Sequence, residues 1–187
     1  MKKKEIIHSC LFLGFIVLCL IITLQVQVLA QEKVKPDQIS GAQCLTQDLK
    51  SWNPVIRKQT VVALGILKDK SAVGDLVKCL REDSYPKVRA AAASALGEIG
   101  EPAAVEPLVI ALKDWDADTR AEAALALGKL KSLAVVDSLM LMLKGYPPSN
   151  RTAAAKALGE IGSTRSSSAL ITALDDWDDE VRAATAI

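Results

Sequence analysis

Arg57, Arg89, Arg120, Arg151 and Arg182 recur at intervals of 32, 31, 31 and 31 residues, and this spacing constrains the chain more than any other feature. Seven positions after the first four stand Leu64, Leu96, Leu127 and Leu158, each followed at once by Gly65, Gly97, Gly128 and Gly159. Nineteen positions after come Leu76, Leu108, Leu139 and Leu170, and twenty-three after come Leu80, Leu112, Leu143 and Leu174. A period of this length is one supersecondary unit, too small to bury its own apolar stripe, so successive units must stack on one another. Half of the residues are hydrophobic but only 4% are aromatic, the balance of a helical protein rich in Ala, Leu and Val.

Each period contains two helical patterns. The first, as in the run from Arg89 to Gly100, is rich in Ala, spaces Leu and Ile for one buried face, and closes on Gly or a Lys/Ser pair. The second, as in the run from Leu108 to Leu112, carries a broad apolar stripe that neighbours must cover. A glycine inside a helix costs about 1 kcal/mol against Ala, so its return at one column implies close approach to an adjacent helix. Asn53, Asp116 and Asp178 precede the periodic Arg by four and suit helix capping. Trp52, Trp115, Tyr146 and Trp177 stand five before it, with Tyr85 one place off; they are expected to staple adjacent repeats, with stacking on an arginine as one way of doing so, the alternative being a ligand-facing aromatic ladder. The periodic arginines are expected to pair with Asp83, Asp114 and Asp176 in a structural ladder.

These columns, with Val88 to Ala92, Ala95 to Gly100, Ala104 to Leu108, Ala157 to Gly162 and Glu180 to Ala184, resemble the short HEAT-like repeats associated with phycobilisome lyases. The resemblance covers residues 57–187 and implies an all-α fold, an α-solenoid of stacked antiparallel helix pairs of the armadillo/HEAT-like kind. A half-unit at 43–56 precedes four repeats starting at 57, 89, 120 and 151, and a truncated fifth begins at 182. Deoxyhypusine hydroxylases are similar in architecture but hold iron with His-Glu pairs, and no histidine follows His8. Chromophore lyases of the repeat type are not excluded by a missing residue, but their work is expected on the cytoplasmic side.

The N-terminus argues against that side. Lys2, Lys3 and Lys4 precede an uncharged run from Cys10 to Leu24, and Val28-Leu29-Ala30 offers a cleavage site before Gln31. Residues 1–30 therefore read as a signal peptide or as an uncleaved anchor, with 31–42 as a linker. Removing that segment takes three of 23 basic and one of 22 acidic residues, leaving a balance that offers nucleic acid no basic face. Membrane contact is expected only through the N-terminal segment. Cys44 and Cys79 have no metal-ligand spacing and are either a disulfide tying the half-unit to the first repeat or free, Cys79 lying in a core column. Asp175, Asp176, Asp178, Asp179 and Glu180 lack the glycine turn of a calcium loop and read as a solvated, helix-capping turn. No catalytic constellation, metal site or cofactor motif is present.

The working surface is expected on the second helices, taken to line a concave face. Columns nineteen, twenty, twenty-two and twenty-three after the Arg are apolar and expected in the core, while column twenty-one holds Lys78, Ile110, Leu141 and Thr172. Ile110 and Leu141 are expected to form an apolar strip for a protein partner, flanked by Glu106 and Asp137 on one side and Arg81, Lys113 and Lys144 on the other. The chain is accordingly expected to be an exported, non-catalytic protein-binding scaffold. The alternative is a regulatory or substrate-presenting part of a larger enzyme continuing beyond Ile187.

Overall fold

The computed structural model describes residues 47–186 of the chain. The expected signal peptide, the expected linker and Cys44 lie outside the described residues. Among the described residues nine whole α-helices follow one another: α1 (Pro54–Ile66), α2 (Val73–Glu82), α3 (Pro86–Ile99), α4 (Val105–Ala111), α5 (Ala117–Lys129), α6 (Val136–Met142), α7 (Pro148–Ile161), α8 (Ser167–Ala173) and α9 (Asp179–Thr185). No strand occurs among the described residues. Odd-numbered helices are the first helices of each repeat and even-numbered ones the second. A single 3₁₀ turn leads into each of α2, α4, α6 and α8.

Local chemistry sets the helix ends. Proline occupies the start of α1, α3 and α7, where its missing N–H costs nothing. Asn53 accepts from the Val55 amide, Asp116 from that of Thr119, and Asp178 from those of Glu180 and Val181, so three first helices are capped by side chains. At the other end, the residue eleven places after the Arg turns left-handed in every complete repeat: Lys68 and Lys131 at φ 51° and 50°, Gly100 and Gly162 at φ 78° and 68°. The lysines carry the strain that glycine avoids at the same bend.

The core is a column of leucines. Leu64, Leu96, Leu127 and Leu158 from the first helices meet Leu76, Leu108 and Leu139 from the second, all without exposed surface. Each contributes about 1.5–3 kcal/mol by leaving water. Two apolar columns expected in the core are only partly there. Ile171 is 66% exposed and Leu174 is exposed as well, because within residues 47–186 no further second helix lies against α8.

The first helices are the tightly packed layer. A Cβ built on Gly65 would lie 2.8 Å from Ala95 Cβ, one on Gly97 2.8 Å from Ala126 Cα, and one on Gly128 2.8 Å from Ala157 Cα. Backbones therefore touch along a seam of Gly and Ala from α1 through α7. Between neighbouring second helices, by contrast, open clefts of about 450 and 680 Å³ separate α2 from α4 and α6 from α8. In a curved stack the more closely spaced layer is the inner one. The inner face is thus made by the first helices, not by the second helices as the sequence reading expected.

Candidate functional site

Each turn from a second helix to the next first helix is organised by the periodic arginine. Arg89 Nε and Nη2 donate to Asp114 Oδ2 and Oδ1, both at 2.8 Å, while Nη1 donates to the Asp83 carbonyl. Arg57 holds Asp83 in the same two-pronged way at 2.6 and 2.8 Å, and Arg151 holds Asp176 at 2.8 and 2.7 Å. Each partner carboxylate lies in the turn on the far side of its own repeat. Arg120 departs from the pattern because the equivalent position is Gly145. Its guanidinium donates instead to the Asp114 and Trp115 carbonyls, and the Asn150 amide oxygen, turned toward it, accepts from Nε at 2.8 Å and Nη2 at 3.0 Å.

These pairs are held in low exposure, and their titration follows. Burial alone would push the Asp114 carboxyl up, but the Arg89 hydrogen bonds, the Asp116 amide and the charges of Arg89 and Arg120 outweigh it and hold it below the usual range. Asp83 is lowered by the same balance against burial, chiefly through Arg57. Arg151 is the main cause of lowering at Asp176. The ladder is saturated with partners, so its arginines are spent on the fold. Asp176 and Asp178 of the C-terminal acidic cluster are likewise engaged, one by Arg151 and one by helix amides. Among the described residues no group of potential metal ligands gathers.

The aromatic residues stay out of the core, and two of them stack on arginines of the ladder. Trp52, Trp115 and Trp177 are 90, 74 and 72% exposed, and Tyr85 and Tyr146 are 51 and 80% exposed. Trp115 lies under the Arg89 guanidinium at 4.8 Å and Trp177 under that of Arg151 at 4.9 Å, each backed on one face and open to solvent over most of its surface. The core has no place for them, since the Gly-Ala seam and the leucine column already fill it.

Column twenty-one is exposed at all four positions, Lys78, Ile110, Leu141 and Thr172. Ile110 opens into the cleft between α2 and α4, with Lys113 beside it, whereas Leu141, Lys144 and Thr172 line the cleft between α6 and α8. Ile110 and Leu141 therefore border different clefts. Of the flanking charges, Asp137 is paired with Arg165 at 2.8 Å across the neighbouring repeat, and Glu106 is exposed. Cys79 is half-buried on α2, and burial first, then Asp83 and Asp75, pushes its thiol up to about 11.

A third surface was not singled out by sequence reasoning. Across the inner face, a cleft of about 480 Å³ spans α1, α3 and α5. Ala90, Ala91, Ser94 and Ala95 make its floor, Val62 and Ile66 one wall, and Lys58, Lys87, Glu98, Asp118 and Glu122 its charged margin. The glycine column was the available signal, because backbones in contact on the first helices imply that these helices form the inner layer.

With this geometry in view, the model of HEAT repeats matches residues 42–116 and 105–187. The chain belongs to the HEAT repeat family. Its structure is similar to a chain in the complex of CpcE and CpcF of phycocyanin lyase from Nostoc sp. PCC7120, with a TM-score of 0.70 and 25% identity over 83% of this chain and 66% of that one. Two curated relatives each match 58 residues, 31% of this HEAT repeat chain, at 40% identity. One is the "Uncharacterized protein in gldA 3'region" of Geobacillus stearothermophilus, and the other is epoxyqueuosine reductase of Bacillus subtilis (strain 168). The matched segments span only 27% and 15% of those proteins. None of the described helices is long and apolar enough to cross a membrane.

Proposed function

We propose that this HEAT repeat protein is an exported, non-catalytic scaffold that holds a helix of a partner protein in the cleft of its inner face. The observation that carries this reading is the floor of the cleft: Ala90, Ala91 and Ser94 are small enough for a helix backbone to approach closely. Val62 and Ile66, both exposed, offer apolar contact, and margins of both signs set register and orientation. The similarity to one chain of a two-protein complex supports a life with protein partners. Export rests on the N-terminal basic and apolar pattern.

The test is capture. Cross-linking in the native cells followed by purification recovers the partner, and Val62→Arg with Ser94→Arg fills the cleft from residues outside the hydrophobic core. The double variant is expected to lose the partner while keeping its helical spectrum and melting temperature. Undiminished capture would transfer the role to the outer face, where charge substitution at Ile110 and Leu141 repeats the test.

One observation favours a second reading. The match to a segment of epoxyqueuosine reductase is a match between this array and part of an enzyme, which fits a substrate-presenting or regulatory array in a longer protein. Intact mass of the native gene product separates the two. About 17 kDa, the chain less its first thirty residues, fits the exported scaffold, and a much larger mass fits the array of an enzyme.

A further inference from the structure

The charges that line the inner cleft are sorted by helix. Lys87, Ala91, Ser94 and Glu98 follow one another on α3 at spacings of four, three and four residues, which puts them in one straight row. The small side chains in its middle belong to the floor of the cleft. On one side of the row α1 offers Lys58, Val62 and Ile66, each four residues from the next, on one face and exposed. On the other side α5 offers Asp118 and Glu122, again one turn apart. The row rises about 16 Å, so the cleft is a groove with a largely apolar wall on α1 and an acidic wall on α5. Glu98 is held by Lys129. Lys58, Lys87, Asp118 and Glu122 have no ion-pair partner among the described residues. Two carboxylates one turn apart repel each other and weaken α5 until a cation reaches them.

Taking the inner cleft as the helix site proposed above, we infer that the helix received there carries two Lys or Arg residues one turn apart on the flank that meets α5, and Leu- or Ile-sized side chains on the flank that meets Val62 and Ile66. A helix is about 10 Å across, so one laid over the row on α3 reaches side chains of both α1 and α5, whose axes lie one helix spacing to either side. Residues four apart on any helix are separated by about 6 Å of rise. A basic pair at that spacing therefore meets Asp118 and Glu122 residue for residue. An acidic flank would be set against like charge, and an uncharged one would take water from both carboxylates without replacing their hydrogen bonds. The face laid on Ala91 and Ser94 is made of Ala, Gly or Ser, because a larger side chain would hold the helix away from both walls. Lys58 and Lys87 stand near the starts of α1 and α3 and select an acidic residue at the end of the helix that lies over them. The two signs of charge in the cleft thus select different sides of one occupant.

The probe is a phage library of helices about fifteen residues long, enough to cover the row, presented on a rigid helical scaffold with Ala along one face and both flanks randomised. It is panned against the full-length protein and counter-selected against the Val62→Arg with Ser94→Arg variant, whose cleft is blocked. The surviving helices are expected to carry Lys or Arg on one flank and Leu or Ile on the other. Their affinity is expected to fall about tenfold with Asp118→Asn and Glu122→Gln together, and panning against Asp118→Lys with Glu122→Lys is expected to select acidic flanks. Asp118 is exposed and Glu122 half-buried, so these variants keep the fold, and circular dichroism verifies this. Helices that need the cleft but carry acidic or uncharged flanks, or that bind equally well after the two neutralising substitutions, would overturn the inference while leaving the helix site standing. A library that yields no helix dependent on the cleft would overturn both.

Discussion

Substituting Gly97 by alanine places a methyl group 2.8 Å from both Cα and Cβ of Ala126, whereas the same change at Gly74, exposed on α2, meets nothing within 4 Å. Both glycines are helical, so propensity favours alanine at each by up to about 1 kcal/mol. At Gly74 that gain stands alone. At Gly97 carbon atoms need about 3.5–4.0 Å, so the seam between α3 and α5 must open by about 1 Å against the packing on either side. Overpacking of a dense core costs about 1–3 kcal/mol, and the upper part of that range applies because the obstructing atom is backbone. Gly97→Ala is therefore expected to lose about 1–2 kcal/mol and Gly74→Ala to gain up to about 1. The two variants would melt about 2–12 °C apart in a protein of this size. Urea and thermal denaturation of the two variants, side by side and followed by far-UV circular dichroism, give the difference directly. If Gly97→Ala stabilises as much as Gly74→Ala, the seam does not hold the repeats in contact and the assignment of the inner face fails with it.

Two further outcomes follow from the turns. Asp83, Asp114 and Asp176 titrate below the ordinary carboxylate value in the folded protein, so the stability they contribute is complete above the unfolded value of about 3.9 and is lost as pH falls through their lower folded values. The urea midpoint is expected to hold steady from pH 8 to 5 and to drop below about pH 4, with a shallower drop in Asp114→Asn; a midpoint indifferent to acid would refute the ladder as a stabilising element. The Cys79 thiol, raised to about 11, is ionised at pH 8 in about one molecule in a thousand. Alkylation followed on its own proteolytic peptide is expected to be slow at pH 8 and to climb steeply toward pH 11, and rapid labelling at pH 8 would show that the second helix α2 opens.

The repeat length, the two helices per unit and the leucine column were legible in the residues because each depends only on periodicity and local chemistry. Asn53, Asp116 and Asp178 cap helices for the same reason, since a cap acts within four residues of itself. For the aromatics, stacking on an arginine was legible, but how far they stay outside the core was not. A large apolar side chain at a turn suggests packing, but whether the neighbouring repeat leaves room for it is a property of the assembled stack. Ile110 and Leu141 are both exposed, as their column required, but that their helices border different clefts is visible only in the assembled stack.

What the sequence determined by itself was that the chain must stack, since no unit of about 31 residues can cover its own apolar stripe. Which face became the inner one was decided only in the tertiary structure. Curvature depends on the relative spacing of two layers, and that spacing is set where Gly65, Gly97 and Gly128 meet the alanines of the next helix. The same holds for members of one column that behave differently. Arg120 turns to Asn150 where Arg89 finds Asp114, because a repeated residue takes its role from the neighbour that reaches it.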